Sequence, residues 1–157
     1  MKIDKEKFKK EKLKAEGFYK NLVPVLCPYF QEKIIFNAKG LEHLKFKKKN
    51  SARNLEDQFI RLRLLYLAPQ IIKSSKTIQG ISGRKVFELL RINNRNEHKM
   101  VNAQYFEFIA VIDGIRARVV IKQIGDSPKY FWSIIPFWKM NKENGTRKIH
   151  NGNPEED

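Results

Sequence analysis

The sequence predicts an α+β fold, because a helical pattern is followed by several strand-like patterns. Residues 51–68 carry apolar side chains at every third or fourth position, which is the spacing of one helix face. Three later segments alternate apolar and polar side chains, as strands do: residues 105–112, 115–124 and 129–136. Asp113-Gly114 and residues 125–128 join these segments as short turns. A helix that covers one face of an antiparallel sheet is the arrangement that fits both patterns.

The chain is predicted to begin with a basic arm and a packing segment, over residues 1–32. Residues 1–16 contain seven lysines but few apolar side chains, so we expect a frayed helix at best. Pro24 and Pro28 then bracket a short apolar run, which predicts an extended segment with Cys27 buried. The folded domain is expected to follow, over residues 33–138.

Two elements are predicted at the start of that domain. Residues 33–38 favour a short strand, and Gly40 opens a short helical stretch that places His43 near a helix start. The main helix is predicted to begin with Ser51 as its cap and to end or kink at Pro69.

The next part of the chain is predicted to alternate between strands and turns. Residues 76–79 and 85–91 favour strands, separated by a glycine- and serine-bearing turn at residues 80–83. Residues 93–102 are rich in asparagine and predict a polar loop. At the other end of the domain, residues 139–157 show no apolar pattern and are expected to be disordered.

The Asp113-Gly114 pair predicts a two-residue hairpin turn and thereby fixes the register of the two strands beside it. Ile112 then faces Ile115, and Tyr105 faces Lys122. One face of this hairpin is apolar and is expected to pack on the helix at residues 51–68: Phe106, Phe108, Ala110, Ile112, Ile115, Ala117, Val119 and Ile121. The opposite face is polar and carries Tyr105, Glu107, Arg116, Arg118 and Lys122.

A four-residue turn at 125–128 extends the same register to the last strand. It pairs Lys122 with Phe131 and Val120 with Ser133. Ser133 then joins the polar face. The remaining large side chains of this strand are expected to join the core: Tyr130, Trp132 and Ile134.

The polar face offers groups that suit a phosphodiester. Cations stabilise the charge that grows on phosphate oxygens, and a carboxylate or an imidazole can move the proton. Glu107 is either such a proton acceptor or the partner of a structural ion pair with Arg118 or Lys122. His43 is either an acid–base group or a surface or capping histidine. A solvated outer face of the sheet is the alternative interpretation of the whole pattern.

The excess of positive charge predicts an anionic partner. The chain has 32 Lys plus Arg against 17 Asp plus Glu, a formal net charge of +15. Nucleic acid is the commonest partner of such a field, with an anionic membrane or mere solubility as the rivals. Lys76 is a candidate for binding nucleic acid through its charge. Tyr105 and Phe131 are candidates for stacking a base, or else they only cover the sheet edge.

Several classes of protein are disfavoured by what the sequence lacks. The apolar runs are too short for a membrane span, so no membrane partner is expected. With one cysteine, Cys27, and no apolar signal core after Met1, the expected location is the cytoplasm. There is no nucleotide-phosphate loop, no zinc-ligand spacing and no acidic cluster for two magnesium ions. We therefore expect neither a cofactor nor a metal ion.

Residues 33–138 resemble a family of nucleases. The resemblance is carried chiefly by Phe108–Gly125, which reads FIAVIDGIRARVVIKQIG, and by Phe131–Pro136, which reads FWSIIP. Gly40–His43 and the helix that ends before Lys76–Gln79 also match. These segments are similar to the phage and mobile-element branch of the barnase, EndoU, colicin and RelE-like nuclease superfamily.

This resemblance implies N-terminal helices packed on an antiparallel sheet of about four strands. It also implies metal-independent cleavage of RNA, in which the 2′-OH attacks its own phosphorus to give a 2′,3′-cyclic phosphate and a 5′-OH end. The roles carried over are an acid or base for His43, phosphate binding for Arg116 and Lys122, and a substrate hydrogen bond for Ser133. Glu107 and Arg118 enter from the register alone.

Three functions remain open from the sequence. The first is an RNA endonuclease of toxin or mobile-element type, for which a neutralising inhibitor protein is an expected partner beside RNA. The second is a non-catalytic nucleic-acid-binding module that grips phosphates with its sheet face and predicts steep salt dependence. The third is a structural or interaction protein whose charge only keeps it in solution.

Overall fold

The fold is α+β, with helices that precede a four-stranded antiparallel sheet, as predicted. The computed structural model describes residues 3–137 and 152–157. The helices are α1 (Lys5–Lys20), α2 (Ala38–Lys45), α3 (Leu55–Leu64), a 3-10 turn (Leu65–Leu67) and α4 (Ala68–Ser74). The short strands are β1 (Val25–Cys27), β2 (Glu32–Ile34), β3 (Phe46–Lys48) and β4 (Ser51–Ala52). The main sheet consists of β5 (Gly80–Ile92), β6 (Arg95–Ile112), β7 (Ile115–Ile124) and β8 (Tyr130–Pro136).

The strands of the main sheet lie in chain order, β5-β6-β7-β8, and each pairs antiparallel with the next. Two-residue turns join the first three strands. Asn93 and Asn94 have φ of 50° and 64°, and Asp113 and Gly114 have φ of 51° and 75°. Two successive left-handed residues match the right-handed twist of the flanking strands, and Asn, Asp and Gly adopt that conformation most easily.

The predicted register of β6 and β7 is confirmed, from Tyr105 opposite Lys122 to Ile112 opposite Ile115. The predicted apolar face packs on the helices and forms the main core, which also contains Leu62 and Leu65 of the helical layer. Phe108 is completely buried in this core. Burying a side chain of that size contributes about 1.5–3 kcal/mol.

The predicted register of β7 and β8 is only partly correct. Val120 pairs with Ser133 as expected, but a bulge between Val120 and Ile121 shifts the rest, so that Lys122 pairs with Tyr130 rather than Phe131. The extra residue of a bulge reverses the faces beyond it. Phe131 therefore lies in the main core with Ile134. Tyr130 and Trp132, which were expected in that core, lie instead in a second apolar cluster.

Two predicted breaks in the sheet are wrong. Residues 80–83 are not a turn but the start of β5, and residues 93–102 are not a loop but the Asn-Asn turn and the first half of β6. A Cβ atom at Gly80 would lie 2.6 Å from Oε2 of Glu107, so a larger residue there would require the end of that side chain to move. The outer part of this hairpin is largely exposed on both faces, so the alternation that marks a half-buried strand is missing from its sequence.

The helices also differ from the prediction in their bounds. The basic arm forms α1, capped by Asp4 and anchored by the buried Ala15 and Tyr19, so it is not frayed. The main helix begins after Asn54, whose side chain accepts from the main-chain N–H of Asp57, whereas Ser51 belongs to β4. Asn54 has the extended φ and ψ that a cap residue adopts.

α2 begins at Ala38 with Asn37 as its cap, so His43 lies in the last turn of the helix rather than near its start. Pro69 lies in the first turn of α4, where its missing N–H costs nothing. In the described part of the chain, none of the helices has the length and apolar character needed to cross a bilayer.

Residues 152–157 lie against the sheet, which contradicts the expectation of a disordered tail for this part. Asp157 is 3% exposed, and the side chain of Glu155 contacts Lys122. The expectation missed this because a segment without apolar residues can still be held by buried cations. Residues 139–151 of the predicted tail fall outside the described residues, as does residue 138, the last of the predicted domain.

Candidate functional site

A group of buried polar side chains lies between helices α2 and α3 and strands β7 and β8. We call this group the cationic cluster: His43, Arg53, Arg61, Lys122 and Ser133. Each of them is less than a tenth exposed. Three cations in so small a buried volume repel each other, so the cluster requires anionic partners.

Asp57 holds the two arginines of the cluster in place. Its carboxylate accepts from Nε of Arg61 at 2.6 Å and from Nη1 of Arg53 at 3.3 Å. Arg53 also donates through Nε to the main-chain oxygen of His43 at 2.9 Å. Burial and the neighbouring Arg61 lower the pKa of Arg53 to about 10, which leaves it charged at neutral pH. A guanidinium group stays protonated in proteins, so both arginines are charged, and these contacts fix their directions.

His43 is a neutral imidazole in this environment. Its Nε2 lies 3.1 Å from Nη2 of Arg53, and a guanidinium can only donate, so Nε2 accepts and the ring proton is assigned to Nδ1. Burial lowers the pKa of His43 well below its ordinary value, and the charges of Arg53, Arg61 and Lys122 lower it further. The ring stacks on Trp132, with centroids 3.9 Å apart and an interplanar angle of 17°.

Lys122 brings its ammonium to the other side of the same indole. The Nζ atom lies 4.0 Å from the ring centroid of Trp132 and 3.1 Å from Oε1 of Glu88. Burial lowers the pKa of Lys122, and the carboxylate of Glu88 opposes that effect. Glu88 in turn accepts from Lys39 of α2 at 3.1 Å. Trp132 is thus held between an imidazole and an ammonium group.

Three donors of the cluster converge on one oxygen atom. The main-chain oxygen of Asp157 accepts from Oγ of Ser133 at 3.0 Å, from Nη2 of Arg53 at 3.2 Å and from Nη1 of Arg61. Ser133 is fixed by Nη1 of Arg61, which lies 2.7 Å from its hydroxyl. Such a convergence of donors is what an anionic oxygen requires.

A cleft of about 830 Å³ opens beside the cluster. Its walls include the rings of His43 and Trp132 and the three lysines of the hairpin between β3 and β4, residues 47–49. Four lysines and the carboxylates of Glu42, Glu88 and Glu155 line the cleft, so an extended anionic ligand would meet a small excess of cations along it.

No match was found among protein-family models, curated proteins or solved structures. A function is therefore inferred from the side chains of the site and their geometry. Within residues 3–137 and 152–157, no group of three His, Cys, Asp or Glu side chains could hold a metal ion.

Four of the side chains singled out in the sequence meet at this site: His43, Lys122, Ser133 and Tyr105. Tyr105 belongs to it because its hydroxyl donates to the carboxylate of Glu155, which also accepts from Lys122. The shared sheet face and the helical stretch after Gly40 were the signals that pointed to these four residues.

The other predicted side chains lie elsewhere. Glu107 and Arg118 form an ion pair at 3.5 Å, four residues along β7 from Lys122 and so about 13 Å away. Arg116 lies over the ring of Phe137, at 5.7 Å from its centroid. Lys76 is exposed on the loop after α4. Phe131 is buried in the main core, so its ring is not available to stack a base.

Sequence reasoning missed Arg53, Arg61 and Trp132. The two arginines flank Asp57 at a spacing of four residues, Arg-x-x-x-Asp-x-x-x-Arg, although only Asp57 and Arg61 lie in α3, since Arg53 precedes the cap residue. That spacing was a usable signal, although most such helical pairs face solvent. Trp132 was missed because the bulge in front of it leaves no mark in the sequence.

Proposed function

We propose that this protein is an RNA endonuclease that cleaves without a metal ion, with the cationic cluster as its active site. The observation that carries the proposal is the convergence of Arg53, Arg61 and Ser133 on one oxygen acceptor, beside a neutral imidazole. A non-bridging oxygen of a phosphodiester has the charge and the hydrogen-bonding capacity to replace that acceptor.

The cluster supplies the electrostatic part of the reaction. A phosphodiester carries one negative charge, and a second develops on its oxygens as the phosphorus becomes five-coordinate. Buried, fixed cations stabilise that growing charge more strongly than exposed ones, because little water screens them and they need no reorganisation. Arg53, Arg61 and Lys122 supply three positive charges against the carboxylates of Asp57 and Glu88.

His43 supplies the proton transfer. Nη2 of Arg53 turns from Nε2 of His43 to a phosphate oxygen and so frees the lone pair of that nitrogen. The 2′-oxygen then attacks the phosphorus and gives its proton to Nε2. The new bond from the 2′-oxygen forms as the bond to the 5′-oxygen breaks, and the departing 5′-oxygen takes a proton from water. The products are a 2′,3′-cyclic phosphate and a 5′-OH end. The bound phosphodiester offsets the cations that depress the pKa of His43, so the imidazole becomes a better base when substrate is present.

The surroundings of the cluster suit RNA as the substrate. Residues 47–49 offer three lysines along the cleft, and a single strand can follow such a groove. Trp132 stacks on His43 and so fixes the orientation of the imidazole ring that acts as the proton acceptor. We place the enzyme in the cytoplasm, where a ribonuclease of toxin type requires an inhibitor protein as its partner.

Cleavage of a mixed RNA pool in excess EDTA tests the proposal. Wild-type protein is compared with Lys122→Ala and His43→Ala, and with Lys129→Ala as the matched control. Lys129 is also a buried lysine beside an aromatic ring, but it pairs with Glu32 outside the cluster. We expect fragments with cyclic-phosphate ends from the wild type and the control, and at least about a hundredfold slower cleavage by the two cluster variants.

Two results would contradict the enzymatic proposal. One is intact RNA from folded wild-type protein over a range of RNA sequences. The other is cleavage that persists unchanged in both cluster variants, which would place the activity elsewhere.

A non-catalytic nucleic-acid-binding module is the second candidate. Two observations favour it. Nε2 of His43 already accepts a hydrogen bond from Arg53, and Asp57 and Glu88 already neutralise part of the positive charge of the cluster. In that case the cluster is a static anion-binding site. The expected behaviour is binding that weakens steeply with salt and no strand scission at any protein concentration.

A further inference from the structure

Residues 152–157 fill the candidate site with atoms of the same chain. We call them the acidic segment; its sequence is Gly-Asn-Pro-Glu-Glu-Asp. Its main-chain oxygens accept hydrogen bonds from several donors of the site. The indole N–H of Trp132 donates to Pro154 at 2.9 Å, and Nη2 of Arg53 donates to Glu156 at 2.8 Å.

The carboxylate of Glu155 takes the second anionic position of the site. It lies 2.9 Å from Nζ of Lys122 and accepts from the hydroxyl of Tyr105. The adjacent carboxylate of Glu156 makes none of these hydrogen bonds. Asn153, at the start of the segment, accepts from Arg84 at 2.5 Å. The acidic segment is therefore held in one register, in which Glu155 contacts Lys122.

The acidic segment is held tightly in place but is not ideally matched in charge. Glu88 and Glu155 both bind the single ammonium of Lys122. Burial and the nearby charge of Glu88 raise the pKa of Glu155 to about 7. The repulsion between the carboxylates of Glu88 and Glu155 offsets part of the attraction of Glu155 to Lys122. The segment can therefore leave the site.

We propose that the cationic cluster is a binding site for an acidic peptide, that the acidic segment fills it in the resting protein, and that RNA binds only after this segment leaves. The proposal rests on the proposed function in one respect, namely that the phosphodiester binds at the cluster. The same donors serve both ligands: Arg53, Arg61, Lys122 and Ser133 cannot bind a phosphate oxygen and the acidic segment together. The segment acts as a competitor that is present at high local concentration.

Two variants test whether the segment binds because it places a carboxylate beside Lys122 or only because it carries net negative charge. In the first, the chain stops after residue 151. In the second, Asn153→Glu and Glu155→Asn are combined, so that the segment keeps its composition and net charge but loses the carboxylate beside Lys122. Glu156→Gln is the matched control, since it removes one charge from the segment but none of the side-chain contacts with the cluster.

Occupancy is read without any catalysis, from the indole N–H resonance of Trp132. Trp138→Phe is present in every chain, so that Trp132 supplies the single indole signal. Binding of a 2′-O-methyl RNA oligonucleotide, which cannot be cleaved, is measured beside it by fluorescence anisotropy. If nine molecules in ten are filled by the segment, emptying the site tightens RNA binding about tenfold.

We expect truncation and the exchanged variant both to shift the Trp132 resonance and to tighten RNA binding by at least about fivefold, with Glu156→Gln close to wild type. The free hexapeptide Gly-Asn-Pro-Glu-Glu-Asp, added to the truncated chain, should restore the resonance and displace the oligonucleotide. An unchanged resonance on truncation, or equal RNA affinity of all the chains, would overturn the proposal. Competition without cleavage by any chain would leave it standing and would instead contradict the ribonuclease.

Discussion

Asp57→Asn tests whether one carboxylate compensates both buried arginines of the cluster. The substitution keeps the shape of the side chain and one oxygen acceptor but removes the negative charge. In the wild type this carboxylate lies 2.6 Å from Arg61 and 3.3 Å from Arg53, and the side chain of Arg61 is wholly buried. The variant therefore leaves two guanidinium groups in a buried site without their nearest anion.

The magnitude follows from that burial. Removal of one partner of a buried ion pair costs about 3–5 kcal/mol, because the other charge stays desolvated. Arg61 keeps its bond to Ser133, and Arg53 keeps its bond to the main chain of His43, so the lower end of that range applies. A loss of about 3 kcal/mol lowers the melting temperature of a protein of this length by about 6–12 °C.

Urea unfolding followed by circular dichroism measures this loss as a lower midpoint with an unchanged slope. Asp126→Asn, on the exposed turn before β8, is the control and should unfold like the wild type. Adding Arg61→Met to Asp57→Asn should recover part of the stability, since it removes one uncompensated charge. A loss below about 1 kcal/mol for Asp57→Asn would refute the reasoning, because the arginines would then be compensated by other groups.

One further prediction concerns packing. Gly40→Ala should destabilise the protein by about 2 kcal/mol in the same assay, since a Cβ there would lie 2.7 Å from the hydroxyl of Tyr19 and against the main chain of Phe131; unchanged stability would contradict it.

The hairpin of β6 and β7 could be predicted from the sequence because local signals fix it. Asp113-Gly114 sets the turn, and strict alternation on both sides sets the faces, so each pair from Tyr105 to Ile112 has its predicted partner. The register of β8 could not be predicted, since no turn residue or glycine marks the bulge, in which Trp132 is the extra residue between Phe131 and Ser133. That bulge places Trp132 beside the site rather than in the main core.

The candidate site could be predicted only where it belongs to the sheet. Lys122 and Ser133 follow from strand alternation, and His43 from the nuclease resemblance. Arg61 could not be predicted as a buried residue, because a charged residue beside the apolar stripe of a helix usually faces water. The acidic segment was missed for a related reason: it shows no apolar pattern, and its position depends on hydrogen bonds from the cations and from Tyr105, Trp132 and Ser133.

The residues of the site are synthesised in a fixed order, and those of the acidic segment come last. Arg53 is made early, but the cluster is incomplete until Ser133 of β8 has been synthesised, because both side chains donate to the same main-chain oxygen of Asp157. Glu155 follows Ser133 after 22 residues. At about 5–20 residues per second, the interval is about 1–4 s. The cluster and the segment that contacts it are therefore completed within a few seconds of each other, so the two are present together while the domain folds.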